Sequence, residues 1–252
     1  MNRSTPFATR RHDVSRLEGF SDAVFAFAVT LLVVSLEVPR TFNELSEAMH
    51  GFVAFAICFA LLFQIWRRHH VYFRRYGLDD AVTTAWTGVL LFVVLLYVYP
   101  LKFLWTLVIT TRLLGGNELV RLADGRIEPM ILNAQVPALF EIYGLGVAAV
   151  FGVFVALYWH AYRRRDALRL TPVEALETRV SVVSSAAFVA IALASIAIAA
   201  FGGTRANAAA GFVYFLIGPS EWSIHARGAR ERRRLEGRQK PDVTGTKDTS
   251  RV

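Results

Sequence analysis

Apolar runs of roughly 20 residues recur along this chain, the length a helix needs to cross the hydrocarbon core of a bilayer. They extend from Leu17 to Val38, Met49 to Trp66, Val82 to Ile109, Val136 to Tyr162, Val180 to Phe201 and Ala206 to Ile224. A soluble core has no use for so many, and mean hydropathy of +0.40 with 54% hydrophobic residues agrees. In lipid the backbone must bond within its own segment, and none of the runs alternates as a barrel strand does. The sequence therefore predicts an all-α integral membrane protein with six transmembrane helices. The first run lacks a small-residue cleavage site and is followed by further spans, so it reads as a retained helix rather than a leader. Pro100 lies late in the third run and is expected to kink or end it.

Basic residues set the orientation. With the N-terminus inside, the inner side collects Arg3, Arg10, Arg11 and Arg16, then Arg67, Arg68, Arg74 and Arg75, then Arg163, Arg164, Arg165, Arg169 and Arg179, and the tail. The outer side receives Arg40, Arg112, Arg121, Arg126 and Arg205. The positive-inside rule then places both termini in the cytoplasm of a multi-pass cell-membrane protein. Three parts follow: a cytoplasmic segment 1–16, a membrane domain 17–226, and a basic tail 227–252 whose distal Pro, Gly, Thr and Ser content predicts disorder. A basic tail beside a span is a topology determinant and a contact for anionic lipid. Nucleic acid is not a predicted partner, because no fold accompanies the tail to present bases. The connection 111–135 is expected outside, with no legible role. The single cysteine, Cys58, lies inside an apolar run and offers neither a disulfide nor a metal site.

The first run is unusual in carrying Arg16 and Asp22 at its head, since ionisable groups in a membrane are costly and face a bundle interior or water. On a helix turning 100° per residue, Phe20, Ala23, Phe27, Thr30, Leu31 and Val34 form a stripe that Arg16 shares. Ser21 and Asp22 point away from it on either side. The second run ends FQIWRRHHVYFRR, which puts Trp66, His69 and His70 at the depth of Asp22 if the two helices are antiparallel. An Asp-to-His or Asp-to-Arg pair is expected there, the alternative being interfacial histidines with Trp66 as a belt residue. Adjacent histidines diverge by about 100°, so a metal or haem site using both is not expected.

RLEGFSD, with Arg16, Phe20, Ser21 and Asp22, resembles the R-x-x-x-F-S-D signature of the first helix of TMEM175 potassium channels. WRRHHVYFR is similar to the W-x-x-H-H-x-x-F-R element ending that family's second helix, and beyond residue 76 the likeness is one of hydropathy and topology. The resemblance implies a homotetramer of six-helix subunits around a central pore lined by the first helix, with potassium as the permeant ion and no cofactor. It implies pore-lining roles for Ala23, Phe27, Thr30, Leu31 and Val34, with Phe27 the main constriction. It also implies a structural network of Arg16, Phe20, Ser21, Asp22, Trp66, His69 and His70. The family's constriction is apolar and not a loop of carbonyls, and no T-V-G-Y-G stretch occurs here. Phe27 departs from the isoleucine or leucine common at that position: four phenyl rings would close a pore more tightly or offer their faces to a cation.

Other classes find less in the residues. A secondary transporter calls for repeats or broken helices at the midplane, and no convincing halves are seen. An enzyme needs a converging set, whereas Glu37 and Glu141 sit near span ends and His160 is isolated. A non-conducting scaffold stays open as an alternative. No catalytic or metal residues are predicted, nor is a voltage-sensing helix of regularly spaced arginines.

Overall fold

The computed structural model describes residues 13–34, 40–113, 119–121, 125–202 and 207–239. Among the described residues there are seven α-helices: α1 (Arg16–Val34), α2 (Phe42–Tyr76), α3 (Ala81–Leu113), α4 (Val136–Arg163), α5 (Pro172–Phe201), α6 (Asn207–Phe212) and α7 (Ile217–Gln239). Among the described residues four stretches are long and apolar enough to cross a membrane: Gly51–Tyr76, Ala81–Thr111, Val136–Arg163 and Pro172–Phe201. The other two expected spans differ for separate reasons. The first helix holds Arg16, Glu18 and Asp22 within its first two turns. The sixth run is divided, with a 3₁₀ stretch at Val213–Leu216 between α6 and α7.

Local chemistry explains where several helices begin and end. Ser15 Oγ accepts from the Glu18 amide at 3.0 Å and starts α1. Gly77 ends α2 with φ 58°, its N–H bonded to Phe73 O at 2.9 Å, and glycine takes this left-handed conformation without strain. Asp80 Oδ1 then caps α3 by accepting from the Thr83 amide at 2.8 Å. A reciprocal Thr171/Glu174 box opens α5, with Pro172 just inside the helix. α5 therefore starts eight residues before the apolar run at Val180.

Two sequence expectations are corrected here, and one detail is added. Pro100 does not end the third helix, which continues to Leu113, and the Pro100 carbonyl accepts from the Tyr143 hydroxyl of α4. The all-α architecture carries one short ribbon in the 111–135 connection, where β1 (Leu119–Arg121) pairs antiparallel with β2 (Ile127–Pro129), Val120 opposite Glu128. The tail from 227 begins as helix and not as disordered chain, because α7 runs to Gln239 and is tied to α5 by Arg232 and Glu177 at 3.2 Å. Residues 1–12 and 240–252 lie outside the described residues.

One apolar core joins the first four helices. Phe25, Ala28 and Leu32 of α1 meet Cys58, Leu62 and Phe73 of α2, Leu90, Val94 and Val98 of α3, and Phe154 and Leu157 of α4. Burial of such side chains is worth about 2 kcal/mol each in water, but between helices in lipid the gain comes from close contact instead. Small residues serve that end. Gly144 lets α4 approach α5 so closely that a Cβ there would sit 2.5 Å from Ile196 Cγ1. The Phe151 and Phe188 rings stack across the same pair at 3.9 Å. α5 in turn carries α6, with Ser195 Oγ donating to Ala210 O at 2.9 Å.

Candidate functional site

The charged head of α1 is tied to α2 by two polar contacts one turn apart. Trp66 Nε1 donates to Asp22 Oδ1 at 2.7 Å. Four residues earlier, Glu18 is 3% exposed and lies 3.3 Å from His70 Nδ1, close enough for an ion pair though not aligned as a hydrogen bond. Because Trp66 and His70 are four apart on α2, their rings stack at 5.4 Å and face the acidic pair together. The expected pairing is therefore corrected: the partner of Asp22 is Trp66, and His70 serves Glu18, which the sequence reading overlooked. The i,i+4 spacing of Glu18 and Asp22 was the available signal.

His69, a third of a turn away, points inward instead. It is fully buried between Phe25 and Phe73, at ring distances of 6.0 and 4.7 Å, and neither ring nitrogen has a hydrogen-bond partner among the described residues. Ser21 is also buried, but its hydroxyl donates to Leu17 O of its own helix at 2.7 Å, so it ties nothing to α2. Arg16 is exposed at the helix start, and Phe20 is 62% exposed.

Away from this joint the helix has two opposed sides. Ser21, Phe25, Ala28 and Leu32 are buried in the subunit, Phe25 at 4% exposure. Ala23, Phe27 and Thr30 face outward, Phe27 at 56% exposure, while Leu31 is half-buried against the core. Val34 ends the helix, and its side chain lies outside the described residues.

Two further features were missed in the sequence. An aromatic ladder climbs α2 through Phe52, Phe55, Phe59, Phe63, Trp66 and His70, with neighbouring rings 5.3 to 6.3 Å apart. The spacing of three and four residues was legible, but it was read only as hydropathy. Its middle rungs and α1 border an apolar groove of about 320 Å³ floored by Leu62 and Val29, with Asp22 at one end. The second feature is at the base of α3, where Asp80 Oδ2 lies 2.8 Å from His160 Nε2 and 3.0 Å from Arg164 Nη1. His160 is thus not isolated. Burial alone would push the Asp80 carboxyl up; the Thr83 amide and the His160 ring outweigh it and hold the group at about 2. Among the described residues no three His, Cys, Asp or Glu side chains converge as metal ligands.

A helical membrane protein whose first helix is anchored by buried charges on one side and bare on the other is the class these features define. The family described as "Endosomal/lysosomal potassium channel TMEM175" matches residues 16–97, the stretch that includes α1, α2 and the joint between them. A protein of Marivirga tractuosa named "Potassium channel" is 38% identical over 216 residues, which cover 84% of this chain and 87% of that one. A Chamaesiphon minutus potassium channel is 31% identical over 105 residues, 38% of this chain and 52% of its own. The crystal structure of a variant of the potassium channel MtTMEM175, bound to a nanobody–MBP fusion, superposes with a TM-score of 0.77 at 36% identity, covering 91% of this chain and 99% of that one. A lysosomal potassium-selective channel TMEM175 homologue from Chamaesiphon minutus shares the fold, with a TM-score of 0.51 at 21% identity over 85% of this chain and 99% of that one. The chain belongs to the TMEM175 family of potassium channels.

Proposed function

We propose that this protein is a potassium-permeable channel in the cell membrane, a homotetramer of six-span subunits with both termini cytoplasmic and α1 lining the central pore. The observation that carries this reading is the opposition of faces on α1. Its inner face is packed and its charged head is anchored to α2, yet Ala23, Phe27 and Thr30 are left bare along the other side. Four copies of that face, arranged around an axis, would cover each other and enclose a path. In this arrangement Phe27 forms the narrowest, apolar layer, and Leu31 and Val34 continue the wall. An apolar ring resists wetting, so its size sets conductance. Thr30 spends its hydroxyl proton on Ala26 O at 3.0 Å, leaving oxygen lone pairs for a dehydrating cation.

The test is a comparison of two phenylalanines in one bilayer. Phe27→Ala raises potassium flux and loosens discrimination against sodium, whereas Phe25→Ala, on the packed side, lowers thermal stability and leaves permeation intact. Altered reversal potential in the Phe25 variant alone would place the pore on the opposite face. Saturable, coupled uptake in place of ohmic current would favour the transporter alternative, and absence of any flux the scaffold.

A further inference from the structure

The second helix is gripped from two sides at one level. Arg68 lies midway in sequence between Trp66 and His70, and on a helix turning 100° per residue it points about 200° away from each. Trp66 and His70 face α1. Arg68 therefore faces the rest of the bundle, on the side where the Tyr72 ring meets Tyr158 of α4 edge-on at 5.6 Å and the Tyr76 and Thr178 hydroxyls bond at 2.8 Å.

The Arg68 guanidinium gathers three helices there. Its Cζ lies 5.2 Å from the centre of the Phe151 ring of α4 and 5.3 Å from that of Phe188 of α5, so one cation meets both members of the stacked pair. Its Nη2 is 3.7 Å from Glu221 Oε2 of α7, close enough for an ion pair but too far for a hydrogen bond. Glu221 is held in turn, because Ser184 Oγ of α5 donates to its Oε1 at 2.6 Å and His225 Nε2 of its own helix lies 3.5 Å from Oε2. We propose that Arg68 is a positioning residue for the pore helix: by tying the far side of α2 to α4, α5 and α7, it fixes the rotation at which α2 presents Trp66 and His70 to α1. For permeation the proposal rests on the reading of α1 as that helix.

Contacts on opposite sides of a helix define its rotation, which contacts on one side do not. A turn of about 100° would carry His69 into the place of His70. A charge at this depth is costly away from its counter-charge, so α2 cannot turn Arg68 from Glu221 without penalty. Apolar contacts alone would resist such a turn less sharply, since they are exchanged for similar ones.

The test uses the full-length protein and two measurements. In planar bilayers, Arg68→Met, which keeps the apolar stem and removes the charge, is expected to change the potassium-to-sodium permeability ratio about threefold or more, Glu221→Gln to act in the same direction, and Arg68→Lys, which keeps the charge but not the planar group, to fall between Arg68→Met and the parent. Thermal midpoints are then measured in a cycle with Trp66→Phe, a neutral change on the opposite side of α2 that adds no charge–charge effect. If Arg68 acts through the presentation of Trp66, the midpoint shift caused by Arg68→Met shrinks to about half or less in the Trp66→Phe background. Additive shifts, or a normal current whose ratio is unchanged in Arg68→Met and Glu221→Gln, overturn the proposal. Should Arg68→Met fail to fold, Glu221→Gln takes its place in the cycle with the same two readings. A parent protein without potassium current counts against the channel reading, and the cycle alone then decides whether Arg68 positions α2.

Discussion

Two helix pairs in this molecule are joined by different means. α4 and α5 meet along most of their length, through Gly144 against Ile196 and through the stacked Phe151 and Phe188. α1 and α2 meet over less of their length, with an open groove beside the ladder of rings, and are pinned at one end by Asp22 to Trp66 and Glu18 to His70. In a lipid environment close packing has no polar groups to satisfy and resists any sliding. A pin at one end fixes direction and depth, and beyond it α1 is held by the apolar core it shares with α2, α3 and α4. The contrast assigns rigidity to the α4–α5 side and leaves the α1–α2 joint dependent on polar contacts at one end.

The contrast breaks most easily on the packed side. Gly144→Leu drives a side chain into Ile196 and towards Ala192 O, and overpacking of this kind costs about 3 kcal/mol. A large fall in thermal midpoint is expected. Near-native stability would mean that α4 and α5 can slide, and the assignment of rigidity would be lost.

On the pinned side, Asp22→Ala leaves the Trp66 indole N–H without its acceptor at a cost of about 2 kcal/mol, while Asp22→Asn retains an acceptor oxygen and loses less. Thermal midpoints of the two variants, measured beside Ser21→Ala, separate pin from helix. Ser21 bonds only its own helix, so an equal loss at Ser21 and Asp22 would show that the α1–α2 contact does not depend on the carboxylate.

The smallest effect under ordinary conditions belongs to Asp80, which ties the α2–α3 turn to the end of α4 and so links the two sides. Its carboxyl is depressed from 3.8 to about 2 in the folded protein. A depressed acid stabilises the fold fully above its unfolded pKa, and that contribution fades as pH falls through the folded value. Stability of the parent should therefore drop relative to Asp80→Asn between about pH 4 and pH 2, by on the order of 2 kcal/mol at the acid limit. Parallel pH profiles for the two proteins would remove Asp80 as a link.

How far the sequence carried the reading follows from what each feature depends on. Spans two to five were legible because length and hydropathy are properties of a single segment. The signature from Arg16 to Asp22 pointed to the right helix and to the right neighbour. The partner within that neighbour was not legible, because choosing Trp66 over His69 requires the rotation of α2 about its axis, and 100° separates a residue facing α1 from one facing the core. Asp80 and His160 are 80 residues apart, and nothing local to either announces the other. A finer feature of the sixth run was not legible: the 3₁₀ stretch at Val213–Leu216 between α6 and α7 leaves hydropathy unchanged. The tail was read as disordered from its distal Pro, Gly, Thr and Ser content, whereas its first half gains a surface to fold against, with Glu177 of α5 supplying a counter-charge.

Trp66 gives the joint between α1 and α2 an optical signature. Its indole is held by a carboxylate of one helix and lies against an imidazole of its own, so emission from this residue depends on whether the two helices stay in register. The other four tryptophans, Trp86 and Trp105 on α3, Trp159 on α4 and Trp222 on α7, belong to elements outside that joint and supply a steady background. Separation of α1 from α2 would expose the indole to water and shift its fluorescence to the red, so the native chain carries its own gauge of the movement that a widening path would require.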